Sequence, residues 1–238
     1  MEVIATAKEK DDLLKSQPED PYILFTEDRR YPIRMTTDLP YKWIEDNRHD
    51  SFEGTADKGE YYTFQIGLWA ARKDVNHLKL TYSALVNSQN RRIKSPLLHS
   101  PCFNTGGVDV TGSVFEKDCS VPKGKVQALW VGTMVPEQLT AGQYTGTVTV
   151  QAAGMKPKQV KVTLNVTDNL IANHGDNEPW RHSRLRWLNS QIGFDDEVIA
   201  PYIPLNVQDK TISLLGRKVT LQPTDSRTQI TLISRKHS

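Results

Sequence analysis

Apolar and polar side chains alternate with a period of two through residues 142–166. Tyr144, Gly146, Val148 and Val150 fall on one side of the first run, and Thr145, Thr147, Thr149 and Gln151 on the other. In the next run Val160, Val162, Leu164 and Val166 alternate with Gln159, Lys161, Thr163 and Asn165. Together with the run that begins at Val126, these segments predict three successive strands joined by Pro- and Gly-marked turns. Each strand has one buried and one wet face, as in an antiparallel sandwich.

The same reading extends upstream. Residues 61–71 (YYTFQIGLWAA) predict the clearest single strand, with Tyr62, Phe64, Ile66, Leu68 and Ala70 on one face and Tyr61, Thr63, Gln65, Gly67 and Trp69 on the other. Residues 77–86 predict another, and 100–120 a Gly-rich stretch with short β-runs. Residues 4–16 predict a short helix with Leu13 and Leu14 on its apolar side, stopped by Pro18. Tyr22 to Thr26 and Tyr31 to Thr36 predict a hairpin around the charged turn Glu27-Asp28-Arg29-Arg30, and the polar 45–60 stretch predicts a loop. About eight or nine strands therefore precede residue 168, at the spacing of an all-β sandwich of the Ig-like, Greek-key kind.

The predicted domain organisation follows. Residues 1–168 form a β-sandwich domain with a short N-terminal helix. Residues 169–183, rich in Asn, Asp, Gly and Pro, form a linker, and 184–238 begin a second, partial β module. Three or four strands in that tail are marginal for an independent domain.

Composition narrows the class little. The chain has 238 residues, a net charge of +2 and 24% charged residues, as in an ordinary soluble protein. No concentrated basic face suggests nucleic acid, and Arg91-Arg92-Ile93-Lys94 reads as a solvated turn. No apolar run reaches the roughly 20 residues of a transmembrane segment. The N-terminus shows no signal-peptide pattern. Two cysteines, Cys102 and Cys119, flank a Gly-bearing segment, where a bridge across a loop or two free thiols are both open readings.

Candidate chemistry is sparse. In Ala141-Gly142-Gln143-Tyr144 the pattern predicts a structural turn at Gly142, with the Tyr144 hydroxyl donating back to nearby backbone. Trp69, Trp180 and Trp187 are candidate carbohydrate-stacking residues, with core packing or an interdomain clamp as the competing roles. Asp195-Asp196-Glu197 is the densest carboxylate run, but adjacent loop residues do not by themselves set the separation that glycoside hydrolysis needs. His174, Asp176 and His182 form a near group without metal-ligand spacing, so neither a metal nor a cofactor is expected. No GxSxG elbow, P-loop or GxGxxG is present.

The run VQALWVGTMVPEQLTAGQYTGTVTV resembles the N-terminal β-sandwich domain of exported bacterial glycoside hydrolases of the β-N-acetylgalactosaminidase-like type. SRLRWLNSQIGFDDEVIAPYIPLNV followed by LLGRKVTL resembles the continuation of Bacteroides-type exported proteins with a glycoside hydrolase domain. The resemblance implies an exported, periplasmic or cell-surface parent acting on glycans. In such enzymes the catalytic residues lie in a downstream (β/α)8 barrel of on the order of 250 residues, so none maps onto this sequence. The expectation is a non-catalytic sandwich region supporting a downstream catalytic domain. The alternative is a standalone carbohydrate-binding or cell-surface adhesion module.

Overall fold

The computed structural model describes residues 3–46, 50–93, 102–191, 194, 197–221 and the backbone of 229–232. It resolves two compact units, 1–191 and 192–238. The first unit therefore extends past the boundary at 168 expected from the sequence, and the stretch predicted as a linker belongs to it.

In chain order the first unit contains helix α1 (Ala7–Ser16), β1 (Ile23–Asp28), helix α2 (Tyr41–Asp46), β2 (Ser51–Lys58), β3 (Tyr61–Trp69), β4 (Lys79–Tyr82), β5 (Leu85–Val86) and β6 (Arg92–Ile93). Then come β7 (Gly106–Val108), β8 (Val114–Glu116), β9 (Val126–Met134), β10 (Gly142–Gln151) and β11 (Lys158–Leu170). One sheet has the order β1-β3-β9; the other has the order β2-β11-β10-β5-β6, with β4 also on β10; β7 and β8 form a small ribbon. The fold is all-β, and its ladders are antiparallel except β2 on β11, which is parallel.

The sandwich core explains the alternation. Val148 lies opposite Val160, Gly146 opposite Val162 and Tyr144 opposite Leu164. All of these but Gly146 meet Phe64, Ile66, Leu68, Leu129 and Val131 of the facing sheet in one buried cluster. Strand β3 is buried on both faces. Its even-numbered residues enter the inter-sheet core, while Trp69 joins a second cluster with Leu13 of α1, Trp43 of α2, Ile23 and Phe25. Trp43 stacks on Phe25 with centroids 4.5 Å apart. The helix α1 begins on a capping box in which Thr6 and Glu9 bond reciprocally.

Two local expectations need correction, and the open reading of the cysteines is decided. Residues 31–36 are not a strand; the partner of β1 is β3. The buried Gln65 explains this, because its amide donates to the Asp28 and Tyr31 carbonyls and accepts from the Ile33 amide, so the 28–33 turn draws its hydrogen bonds from a side chain. Of the 45–60 stretch expected as a loop, 45–46 end α2 and 51–58 form β2, whose inward Phe52, Gly54 and Ala56 sit opposite Val162, Leu164 and Val166. Gly54 has a steric cause: a Cβ there would lie 2.0 Å from the Tyr62 hydroxyl. The Cys102–Cys119 bridge is not formed. Both are buried free thiols, Cys102 held beside Val131 and Cys119 at the carbonyl that receives the Leu78 amide.

The second unit is a meander of β12 (Asn206–Gln208), β13 (Thr211–Leu214), β14 (Arg217–Thr220) and β15 (Gln229–Leu232). Its register aligns Val207, Ile212, Val219 and Ile230 in one row, and Asn206, Ser213, Lys218 and Thr231 in the next. Among its described residues none is buried.

Candidate functional site

After β11 the chain runs through three short 3-10 helices, Ala172–Gly175, Pro179–Arg181 and Ser183–Asn189. Asn173, His174 and His182 all adopt left-handed φ, 50°, 56° and 53°. Such conformations persist only where surrounding contacts hold them, and here those contacts come from the sandwich. The Ile171 amide donates to the Lys58 carbonyl, His174 Nδ1 lies 2.8 Å from the Gly59 carbonyl oxygen, and Thr63 Oγ1 donates to the Arg181 carbonyl.

The strongest tie is ionic. Glu60, with no exposed surface, sits in the tight turn between β2 and β3. Its carboxylate accepts from the Arg29 guanidinium, from Arg181 Nη1 at 2.9 Å and from the Asp57 amide at 2.9 Å. Arg181 also reaches Asp57 at 3.0 Å and Glu178 at 3.1 Å. Burial works against the Arg181 charge, but Glu60 and Glu178 more than offset it and raise its pKa. Trp180 lies beside this network. Its indole N–H donates to Glu178, and the guanidiniums of Arg29, Arg30 and Arg181 lie 5.0, 4.8 and 4.6 Å from its ring centroid.

A second centre surrounds Asp176. Arg186 grips its carboxylate with two nitrogens and Ser183 Oγ donates to it at 2.8 Å. The Arg186 hydrogen bond is the main reason its pKa lies below the ordinary value. Ser183, His182 and Asp176 line a shallow pocket of about 330 Å³ with Pro179, Arg184, Leu185 and Leu188. This is the composition of a hydrolytic triad without its wiring. Ser183 hydrogen-bonds directly to the aspartate, whereas a triad places histidine between them. The His182 ring packs against Trp130, centroids 5.0 Å apart, and burial lowers its pKa, with the Arg29 charge adding to the effect.

The tryptophans named from the sequence are not gathered into one platform. Trp69 is 6% exposed within the cluster beneath the helices, Trp180 is 37% exposed in the arginine network, and Trp187 is 54% exposed. Arg184 and Arg186 flank Trp187 at 5.4 and 5.9 Å from the ring centroid. The Tyr144 hydroxyl donates to the Thr140 carbonyl at 2.8 Å, and Gly142 has φ of 143°. Asp195 and Asp196 lie outside the described residues, so the acidic run has no described geometry. Among the described residues no three His, Cys, Asp or Glu side chains are placed to hold a metal ion, and no helix is long and apolar enough to cross a membrane.

Sequence reasoning missed Arg29, Asp57 and Glu60. One signal was available: Glu60 directly precedes YYTFQIGLW, a strand without a charged residue, which carries the acid into the interior with it.

No protein-family model matches the sequence, and no curated protein matches it. Similar solved structures include a family 123 glycoside hydrolase from Clostridium perfringens. It is 16% identical, with 64% of this chain and 28% of the hydrolase covered and a TM-score of 0.45. The fimbrial subunit MyfA from Yersinia enterocolitica, in complex with galactose, is 10% identical, with 60% and 98% covered and a TM-score of 0.33. The human CEP192 PapD-like domain is 16% identical, with 52% and 84% covered and a TM-score of 0.32. The chain thus matches little more than a quarter of the hydrolase's length. At these scores the likenesses carry no inference, and the all-β architecture rests on the sheet register itself.

Proposed function

We propose that this chain is a non-catalytic β-sandwich region of an exported glycan-processing protein, and that it supports a catalytic domain elsewhere in the parent. The observation that carries the non-catalytic part is the state of the acids. Glu60 is fixed between Arg29 and Arg181, and Asp176 is gripped by Arg186. A general acid needs a raised pKa and a general base needs a free lone pair aimed at substrate. The Asp176 pKa is shifted the other way. The Glu60 centre instead ties the 172–191 segment to the sandwich, and the Asp176 centre braces that segment internally. The glycan assignment is supported by the sequence resemblance in 126–150.

Incubation with chromogenic N-acetylhexosaminides tests the reading. No turnover is expected. Hydrolysis that disappears in Asp176→Asn or Glu60→Gln would overturn it.

One observation favours a carbohydrate-binding role as a second reading. Trp187 is 54% exposed, its ring flanked by Arg184 and Arg186, and sugars stack on such faces. Titrating tryptophan fluorescence with oligosaccharides discriminates. Saturable quenching abolished by Trp187→Ala supports glycan binding, and an unresponsive signal removes it.

A further inference from the structure

The inter-sheet core contains a polar flaw. On β9 the residues facing that core are Leu129, Val131 and Thr133, followed by Val135 just past the strand. Thr133 has the shape of a valine but carries a hydroxyl, and it is 6% exposed. Across the gap on β4, Tyr82 pairs with Val148 and packs its ring on the same core. Both the Tyr82 hydroxyl and Thr133 Oγ1 are buried, and neither has a hydrogen-bond partner among the described residues.

These two groups line the same pocket, with Phe64, Leu85, Val131, Val148 and Val162 and the polar Ser83 and Thr147. Its volume is about 30 Å³, and a single water needs roughly 10–15 Å³ on that measure together with two or more polar partners. A hydroxyl with no partner in an apolar setting is strongly disfavoured. Two of them bordering one void of this size have a common solution. Burial also pushes the Tyr82 phenol well above its ordinary pKa, so it stays a neutral donor and acceptor.

We propose that this pocket is a built-in hydration site, in which one or two ordered waters bridge Tyr82 and Thr133 between the two sheets. The site takes only a water-sized polar ligand, because the remaining walls are mainly aliphatic and aromatic. It ties β4 to β9 through solvent, where the apolar core alone leaves a gap.

A high-resolution crystal structure of the whole chain is the direct test. Density about 3 Å from both oxygens is expected, and an empty pocket would overturn the proposal. A stability cycle gives an independent readout. Thr133→Val and Tyr82→Phe each deprive the water of a partner, so each should lower the folding equilibrium constant by roughly three- to tenfold. The double variant should lose less than the product of the two. If the pocket is dry, each single change removes an unsolvated hydroxyl, and both raise the folding constant independently. Should either variant fail to fold, water-oxygen relaxation dispersion on the unaltered protein still reports a long-lived internal water or its absence.

Discussion

Arg181 and Glu60 pair at 2.9 Å although 121 positions separate them in the chain. The glutamate has no exposed surface and the arginine side chain is 11% exposed. Removing Arg181 leaves Glu60 with Arg29 and takes a guanidinium from Asp57, which costs about 1–3 kcal/mol. Arg181→Met should therefore lower unfolding stability by that order in urea titration. It should also expose 172–191 to proteolysis before the rest of the first unit. A loss below about 1 kcal/mol would mean that the pair is solvated.

Gly54 and Tyr62 provide a second test, this time of packing. A Cβ at Gly54 meets the Tyr62 hydroxyl at 2.0 Å and its ring carbon at 2.8 Å. Gly54→Ala should destabilise by about 1–3 kcal/mol, the usual range for overpacking. Tyr62→Phe removes the closest clashing atom, so the double variant should recover part of that loss. Purely additive effects would show that the two sites do not touch.

These two relationships also mark what was legible in the sequence. The alternation in β10 and β11 was plain because one face of each is apolar and the other polar, and it predicts the all-β class. The split faces of β3 were equally readable. Strand β2 was not, because its inward positions are Phe52, Gly54 and Ala56, two of which are too small to register as a hydrophobic face. The 31–36 segment carried apolar residues at strand spacing, but Gln65 from a distant strand takes its backbone groups. Arg29 read as part of a charged hairpin turn. Its buried role depends on Glu60 and on the ring of Tyr62, 4.2 Å below the guanidinium, neither of which is near it in sequence.

Cysteine chemistry should follow the unbridged arrangement. Burial pushes the Cys102 thiol up to about 11 and also raises Cys119. Thiolate is the reactive form, so both should resist iodoacetamide in the native state and react on denaturation. Intact mass should fit two reduced thiols, and reductant should leave the thermal midpoint unchanged. A mass lower by about two hydrogens, reversed by reductant, would establish a disulfide.

Acid should destabilise the 172–191 segment in two steps. The His182 pKa is depressed by burial and then by Arg29. The unfolded chain therefore takes up this proton first as pH falls through about 6.5, while the folded chain resists. The His182 contribution is full above that pH and is lost as pH drops through the folded value. Asp176 is depressed as well, so its contribution is present above the ordinary carboxylate range and disappears as pH falls through its lowered value. His182→Asn, which keeps a residue tolerant of left-handed φ, should flatten the first step in urea midpoints between pH 7 and 5. Asp176→Asn should flatten only the second. An unchanged slope in His182→Asn would assign the first step to another group.

Local stability should differ sharply between the units. Amide exchange tracks the free energy of local opening, which rests on buried contacts around each hydrogen bond. Strand β3 is buried along its whole length, whereas β12, β13 and β14 contain no buried residue. The apolar row through Val207, Ile212 and Val219 has polar rows on its flanks but no core of its own. Peptides covering 206–220 should therefore exchange orders of magnitude faster than those covering 61–69 in hydrogen–deuterium mass spectrometry. Equal protection in the two would show that the row through Ile212 is covered in solution. Protection of 206–220 that falls on dilution would identify that cover as another molecule rather than the same chain.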